Sequence, residues 1–150
     1  MTVAIRVILV ATAAGLLAGC SRGVDVAVPT PAPTGPVAYA CAALHGRLPD
    51  EVVGEKVVAS HPNSDLTSAW GNPAITIRCG VQPPQVNPSE QVIAVDGVDW
   101  YPEKFSGGYR FTTVHRALFV EVNVPSSYAP EADVLADLSP SVAANIPLAG

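Results

Sequence analysis

The chain has 150 residues, 49% of them hydrophobic and 14% charged, and a formal net charge of −5. This length suits one domain with a core of modest size. An acidic chain of this kind has no electrostatic basis for binding nucleic acid, whose affinity comes mostly from neutralised phosphates, so we expect no nucleic-acid partner.

The first 20 residues are organised like a lipoprotein signal. Arg6 is the only charge before the apolar run of residues 7–17, which is shorter than the roughly 20 residues that a membrane-spanning helix needs. The next residues complete Leu17-Ala18-Gly19-Cys20, which resembles a bacterial lipobox. Residues 1–19 are therefore predicted to be a cleaved signal peptide, and Cys20 to carry diacylglycerol and an acyl chain such as palmitate. This predicts a protein anchored by lipid to the extracytoplasmic face of the cell membrane; the alternative is an ordinary secreted protein.

Removing residues 1–19 leaves 131 residues with 13 acids against seven bases, a net charge of −6. Residues 20–36 contain four prolines, which predict an extended polyproline II tether behind the lipidated cysteine. At about 3.1 Å per residue this tether would reach roughly 50 Å and hold the domain off the bilayer. Thr30 and Thr34 are candidate O-glycosylation sites on composition alone. Residues 37–150 are predicted to form a single domain.

Besides the lipidated Cys20, the mature chain has two cysteines, Cys41 and Cys79. An even number of cysteines in an oxidising compartment favours a disulfide between them. Two buried free thiols are the alternative. A metal site is less favoured, because neither cysteine has a second Cys or His at ligand spacing, and we expect no metal or cofactor.

The first half of the domain begins with a helical pattern. Apolar residues at helical spacing predict a helix that Pro49 ends. The predicted elements, in chain order, are a helix at 37–48, a strand at 56–60, a loop at 61–64 and a helical turn at 65–70.

Alternating strand patterns dominate the second half. They predict strands at 74–79, 91–95, 98–101, 109–114 and 117–124. Asp96-Gly97 is the strongest hairpin signal, because both residues tolerate positive φ, and His115-Arg116 is predicted to turn a second hairpin. A C-terminal helix follows at 129–138 and resumes past Pro140 at 142–146. A sheet with one apolar face needs helices over it, so this order predicts an α+β two-layer sandwich, mostly antiparallel, with the N-terminal and C-terminal helices on one face.

Two clusters have residue types that suit catalysis. His61 lies near Ser64 and Asp65, but a triad needs convergence from separate elements and no nucleophile elbow is present, so an unrecognised hydrolase is a weak alternative.

The second cluster contains acids beside aromatic rings, the parts of a sugar site. Its members are Asp96, Asp99, Glu103, Trp100 and Tyr101. A turn role for Asp96 and solvent-facing strand positions for the other acids explain this cluster better. We therefore expect a protein that is not an enzyme.

Six aromatic residues fall within residues 100–119. The candidate binding surface consists of Trp100, Tyr101, Phe111 and Phe119, with Arg110, Arg116 and Glu121 at its rim. Phe111 is expected to pair with Phe119 across the second hairpin. The alternative, which we favour, is that these rings complete the core.

Arg78 lies on the polar side of the strand at 74–79. It is expected to pair with an acid on a neighbouring strand, or to hold a carboxylate or phosphate of a ligand.

Several short motifs make the chain resemble the actinobacterial DUF3515 family of exported proteins and lipoproteins. They are Cys41-Ala42-Ala43-Leu44 with Leu48-Pro49, Ala69-Trp70-Gly71-Asn72-Pro73-Ala74-Ile75, Arg78-Cys79-Gly80-Val81, and Gly97-Val98-Asp99-Trp100. The resemblance covers most of residues 40–145 and implies an envelope protein. It agrees with a Cys41–Cys79 disulfide and implies no activity, because the family is one of unknown function.

The sequence therefore predicts a non-enzymatic binding or assembly module of the cell envelope. Its partner would be an envelope protein or a cell-wall component. The alternative is a small-molecule or lipid carrier with an apolar pocket between the sheet and the helices.

Overall fold

A computed structural model describes residues 25–150, so the predicted signal peptide and Cys20 lie outside the described residues. The described part contains one sheet, two α-helices and a short 3-10 helix at Ser126–Tyr128. The helices are α1 (Gly35–His45) and α2 (Glu131–Asn145). The strands are β1 (Asp25–Ala27), β2 (Glu51–Val52), β3 (Glu55–His61), β4 (Thr67–Trp70), β5 (Ile75–Val81), β6 (Ile93–Val95), β7 (Val98–Phe105), β8 (Gly108–Val114) and β9 (Phe119–Pro125).

The nine strands form one sheet in the order β1-β3-β4-β5-β9-β8-β7-β6, and β2 pairs with β3. Pairing is antiparallel throughout these strands except between β1 and β3. Both helices pack on one face of the sheet, where a disulfide joins Cys41 of α1 to Cys79 of β5. The predicted α+β sandwich and the predicted disulfide are confirmed.

Alternation along β5 separates the two faces of the sheet. Ile75, Ile77 and Cys79 are buried towards the helices, whereas Thr76 and Arg78 lie on the opposite side. We call the side opposite the helices the open face. Its central positions are Thr76, Arg78, Arg110, Thr112, Glu121 and Asn123, which adjoin one another through the pairing of β5, β9 and β8.

The C-terminal helix does not stop at Pro140, as the sequence predicts, but runs continuously from Glu131 to Asn145. Proline removes one backbone donor from a helix interior and crowds the preceding turn. Here Leu138 and Val142, on either side of Pro140, are fully buried against the sheet. Ser139 also accepts a hydrogen bond from Trp100 Nε1 at 3.0 Å. These contacts on both sides of the proline hold the helix together.

Residues 67–70 form strand β4, so the predicted helical turn at 65–70 is wrong. Thr67, Ser68, Ala69 and Trp70 are all buried, and they pair with β5 on one side and partly with β3 on the other. A strand covered on both faces loses the alternation by which strands are recognised in sequence. Trp70 Nε1 donates to Pro49 O at 3.0 Å and fixes the loop that follows α1.

The predicted Asp96-Gly97 turn is confirmed by its backbone conformation, and the antiparallel pairing of β8 with β9 confirms a second hairpin around His115-Arg116. Asp96 has φ +46° and Gly97 has φ +77°, the two positive values that a type I′ turn requires. His115 also has a positive φ, of +59°. Arg116, expected at the rim of a surface patch, is instead buried, and it donates to Gly97 O and to Ile146 O at the end of α2.

Residues 25–34, which we call the arm, lie against the domain. Asp25–Ala27 pairs in parallel with β3, and Val28 is only 1% exposed. The tether predicted at 20–36 was expected to hold the domain at a distance, whereas its described part extends the sheet. The prolines explain the extended backbone, and helix α1 begins at Gly35, two residues earlier than predicted, with proline in its first turn.

Candidate functional site

A buried ion pair forms the centre of the open face. Arg78 on β5 and Glu121 on β9 are register partners, and the arginine donates from Nε to Oε1 at 2.9 Å and from Nη2 to Oε2 at 3.0 Å. Glu121 is 6% exposed, and Asn123 Nδ2 also donates to its Oε1 at 2.9 Å. A two-pronged contact of this kind is among the stronger hydrogen-bonded pairs in proteins. The expected pairing of Arg78 with an acid on a neighbouring strand is confirmed.

These contacts leave little capacity for chemistry at the pair itself. Both carboxylate oxygens of Glu121 already accept hydrogen bonds, so this group is poorly placed to take a proton from a substrate. Arg78 also donates from Nη1 to Pro29 O in the arm at 3.2 Å. The Arg78–Glu121 pair therefore forms a rigid floor for the space above the open face.

We expect Glu121→Gln to lower the free energy of unfolding by about 2 kcal/mol, because one charge-assisted hydrogen bond to Arg78 is lost in a buried position. Urea unfolding followed by tryptophan fluorescence measures the change. Glu103→Gln, on the same face but without an ion pair among residues 25–150, is the matched control and should change stability by less than about 0.5 kcal/mol. Equal effects of the two substitutions would contradict the assigned role of Glu121.

Arg110 lies beside this pair, and only part of its guanidinium contacts other side chains among the described residues. Its Nε lies 3.5 Å from Glu121 Oε2 and 3.4 Å from Asn123 Oδ1. The side chain is 45% exposed. Both contacts involve Nε, and neither terminal nitrogen has a hydrogen-bond partner among residues 25–150. Glu103 on β7 is the register partner of Arg110.

Two irregular segments stand above this floor and enclose a groove of about 460 Å³. The arm forms one wall with Thr30, Pro31 and Ala32, and residues 80–85 form the other. Its floor contains Arg78, Arg110, Thr112 and Glu121, with Glu103 at the side. We call this space the open-face groove. Across the arm, a second groove of about 340 Å³ shares Arg78, Arg110 and Glu121 and is bounded by Val28 and Phe105.

Specific contacts hold both walls in place. Gly80 has φ +81°, and a Cβ there would lie 2.6 Å from Pro33, so a larger residue would push the arm outwards. The hydroxyl of Tyr101 accepts from Asn87 N at 2.7 Å and donates to Gln85 O at 3.4 Å. These contacts fix the segment after β5 over the open face, so the groove is largely formed before any ligand arrives.

The predicted aromatic binding surface does not form. Trp100, Tyr101 and Phe111 are each less than 5% exposed, and Phe119 is half-buried. Phe111 pairs with Val122, whereas Phe119 pairs with Val81 and lies on the opposite face, so the expected Phe111–Phe119 pair is wrong. Trp100 and Phe111 belong to the core, as the favoured alternative predicts, whereas Tyr101 is buried beneath residues 85–87.

The two clusters considered for catalysis are dispersed. His61 Nδ1 lies 3.1 Å from Asp25, while Ser64 Oγ accepts from Leu66 N. Asp99 contacts His115 Nδ1 at 2.9 Å on the surface, with Trp100 on the buried side of the same strand. Within residues 25–150 no group of three His, Cys, Asp or Glu side chains is arranged to hold a metal ion.

The space between the sheet and α1 is very small. A cavity of about 10 Å³ lies among Leu44, Ile77 and Cys79, which is at most room for one water molecule. An open depression of about 570 Å³ lies beside the start of α2, lined in part by Tyr109, Phe111 and Pro130. In the described part of the chain, neither space is an enclosed apolar pocket of the kind that a lipid carrier needs.

The sequence predicts Arg78 as a site residue and places Arg110 and Glu121 only at the rim of an aromatic patch; it does not identify Thr112 or the arm as parts of the same site. The sequence signal for this site is a polar residue at alternate positions of β5, β8 and β9. Only the strand register shows that these positions are neighbours.

A family model for a protein of unknown function, DUF3515, matches residues 1–149. No curated protein and no solved structure matches the chain significantly. Neither helix between residues 25 and 150 is long and apolar enough to cross a membrane.

Proposed function

Because the chain belongs to the DUF3515 family, whose description gives no activity, we propose a function from its geometry. The protein is a lipid-anchored, extracytoplasmic binding module, and its ligand or partner docks in the open-face groove. The partner is an envelope protein or a component of the cell wall.

Export is supported by two independent features. Leu17-Ala18-Gly19-Cys20 has the pattern of a lipidation site behind a short apolar run. The structure joins Cys41 to Cys79, a bond that persists in oxidising compartments and is rare in the cytosol. Lipid on Cys20 would concentrate the domain near envelope targets.

The exposed charge of Arg110 above the fixed Arg78–Glu121 pair is the observation that carries the binding role. A rigid floor holds the arginine in place, and its contacts with residues 25–150 engage only its Nε. A positioned charge of this kind needs little rearrangement to meet a ligand. Binding rather than catalysis is favoured because the neighbouring carboxylate of Glu121 is already hydrogen-bonded on both oxygens.

The anchor is tested by Cys20→Ala in cells fed a labelled fatty acid. We expect the wild-type protein to fractionate with membranes and to take up the label, because two or more acyl chains hold a protein stably to a bilayer. Cys20→Ala should lose both properties, whereas Ser21→Ala, its neighbour and matched control, should keep both. Retention of the label by Cys20→Ala would contradict lipidation at this residue.

The groove is tested by site-specific photo-cross-linking in intact envelopes. A photoreactive residue in place of Gln82, in the groove wall, should capture a discrete adduct. The same residue in place of Tyr39, which is 80% exposed on α1 and away from the groove, is the control and should not capture it. Arg110→Ala should weaken the adduct at position 82. Identical adducts from both positions would contradict a specific groove.

A further inference from the structure

We propose that the open-face groove binds an amino-acid zwitterion, with the ligand carboxylate on Arg110 and its ammonium on Glu103. This inference rests on the proposed binding role of the groove and names the class of ligand. The chemical group is an ammonium and a carboxylate on one carbon, found in a free amino acid or at the side-chain end of a diamino-dicarboxylic acid in a peptide.

The two arginines of the groove differ in how many of their nitrogens are hydrogen-bonded. Arg78 donates to Glu121 through two nitrogens and to Pro29 O through the third, so all its nitrogens are engaged. Among the described residues Arg110 makes its two polar contacts through Nε alone, and its side chain is 45% exposed. The fork of its terminal nitrogens matches the geometry of a carboxylate. Arg110 is therefore the group that receives the negative end of the ligand.

Glu103 on β7 lies directly opposite Arg110 and also lines the groove. Opposite charges at directly paired strand positions normally attract each other. Here Arg110 leans towards Glu121 and Asn123, and the ion pairs of residues 25–150 do not include Glu103. A guanidinium and a carboxylate thus lie on neighbouring strands of one groove with no ion pair between them.

The balance of charge then selects the ligand. Two arginines and two glutamates line the groove, so their formal charges cancel. A simple anion would gain from Arg110 but would be repelled by Glu103, and a simple cation would meet the reverse situation. A ligand with both charges on one carbon can contact both groups at once, because directly opposed strand residues have Cβ atoms only about 5 Å apart.

Uncharged groups in the groove can serve the rest of the ligand. The side-chain amides of Gln82 and Gln85, in the wall formed by residues 80–85, can donate to or accept from a ligand amide or hydroxyl. The groove volume of about 460 Å³ lies within the range of small-ligand sites, about 300–1,000 Å³.

The test is calorimetric titration of the full-length protein, purified in detergent, with matched probes. Alanine carries both charges, N-acetylalanine only the carboxylate, and alaninamide only the ammonium. We expect alanine to bind at least tenfold more tightly than either analogue. A short peptide that contains a diamino-dicarboxylic acid, whose side chain ends in the same zwitterion, tests the second source, and tighter binding than that of alanine would identify a peptide ligand.

Two substitutions assign the ends of the ligand. Arg110→Gln should weaken alanine at least tenfold but change alaninamide little, whereas Glu103→Gln should abolish the preference for alanine over N-acetylalanine. Lys104→Gln, whose side chain lies over the Tyr109 ring, is the charge-matched control and should bind as the wild type does. Urea unfolding of each variant separates loss of binding from loss of folding.

Equal binding of alanine and N-acetylalanine would overturn the zwitterion and indicate a plain anion site. Absence of binding by every probe, while the photoreactive residue at position 82 still captures an adduct, would overturn the ligand class and leave the binding role standing. Absence of both would overturn the two proposals together.

Discussion

Replacing Cys41 and Cys79 together by alanine is expected to lower the free energy of unfolding by about 4 kcal/mol. The disulfide spans 38 residues, and in the chain-entropy model closure of such a loop removes about this much freedom from the unfolded chain. Small domains are stable by only about 5–15 kcal/mol, so this bond supplies a large fraction of the total. Urea unfolding of the double variant and the wild type, both without reductant, measures the difference.

The disulfide should also matter for the groove. Cys79 precedes Gly80, against which Pro33 of the arm packs, so loosening of α1 from β5 reaches the groove wall directly. Wild-type protein treated with reductant should match the double variant in stability, which is the control for the substitutions themselves. A loss below about 1 kcal/mol would show that the unfolded chain is already constrained without the bond.

Arg116→Ala is expected to cost about 3–4 kcal/mol, the second large effect. The guanidinium is buried without a carboxylate partner among residues 25–150, and it donates to Ile146 O and Gly97 O at 2.5 and 2.6 Å. It also contacts Ala143 O at 3.5 Å, so the positive charge sits at the C-terminal end of α2, where a helix dipole favours a cation. Alanine would leave these carbonyls without their donor in a buried space.

Urea unfolding monitored by circular dichroism tests this expectation. Arg116→Lys keeps the charge but cannot reach several carbonyls at once, so we expect an intermediate loss. Arg47→Ala, at an exposed position after α1, is the surface control and should change stability by less than about 0.5 kcal/mol. A cost of Arg116→Ala no greater than that of Arg47→Ala would show that the cap at the end of α2 contributes little.

The elements that the sequence predicts best are those with one buried face. β5 is recognised by its alternating pattern, and the Asp96-Gly97 turn by the backbone preferences of its two residues. β4 could not be recognised in this way, because burial on both faces removes alternation. The continuity of α2 through Pro140 depends on packing against Trp100, which no local pattern reports.

The candidate site was harder to predict than the fold, for a physical reason. Arg78 and Glu121 are 43 residues apart, and only the register of β5 with β9 brings them together. The prolines of the arm predict an extended chain but not the surface on which it lies. Burial of Trp100, Tyr101 and Phe111, by contrast, follows from their apolar character and is the alternative that the sequence favours.

The docked arm has a consequence for where the module can work. With lipid on Cys20, only five Cα steps separate the acylated residue from Asp25 in β1, a span of at most about 18 Å. The sheet edge formed by β1 would then lie just above the lipid headgroups, and the domain would reach only a shallow layer above the membrane. The protein would meet its partners by lateral diffusion in the plane of the bilayer. Those partners would be molecules that themselves approach the membrane surface.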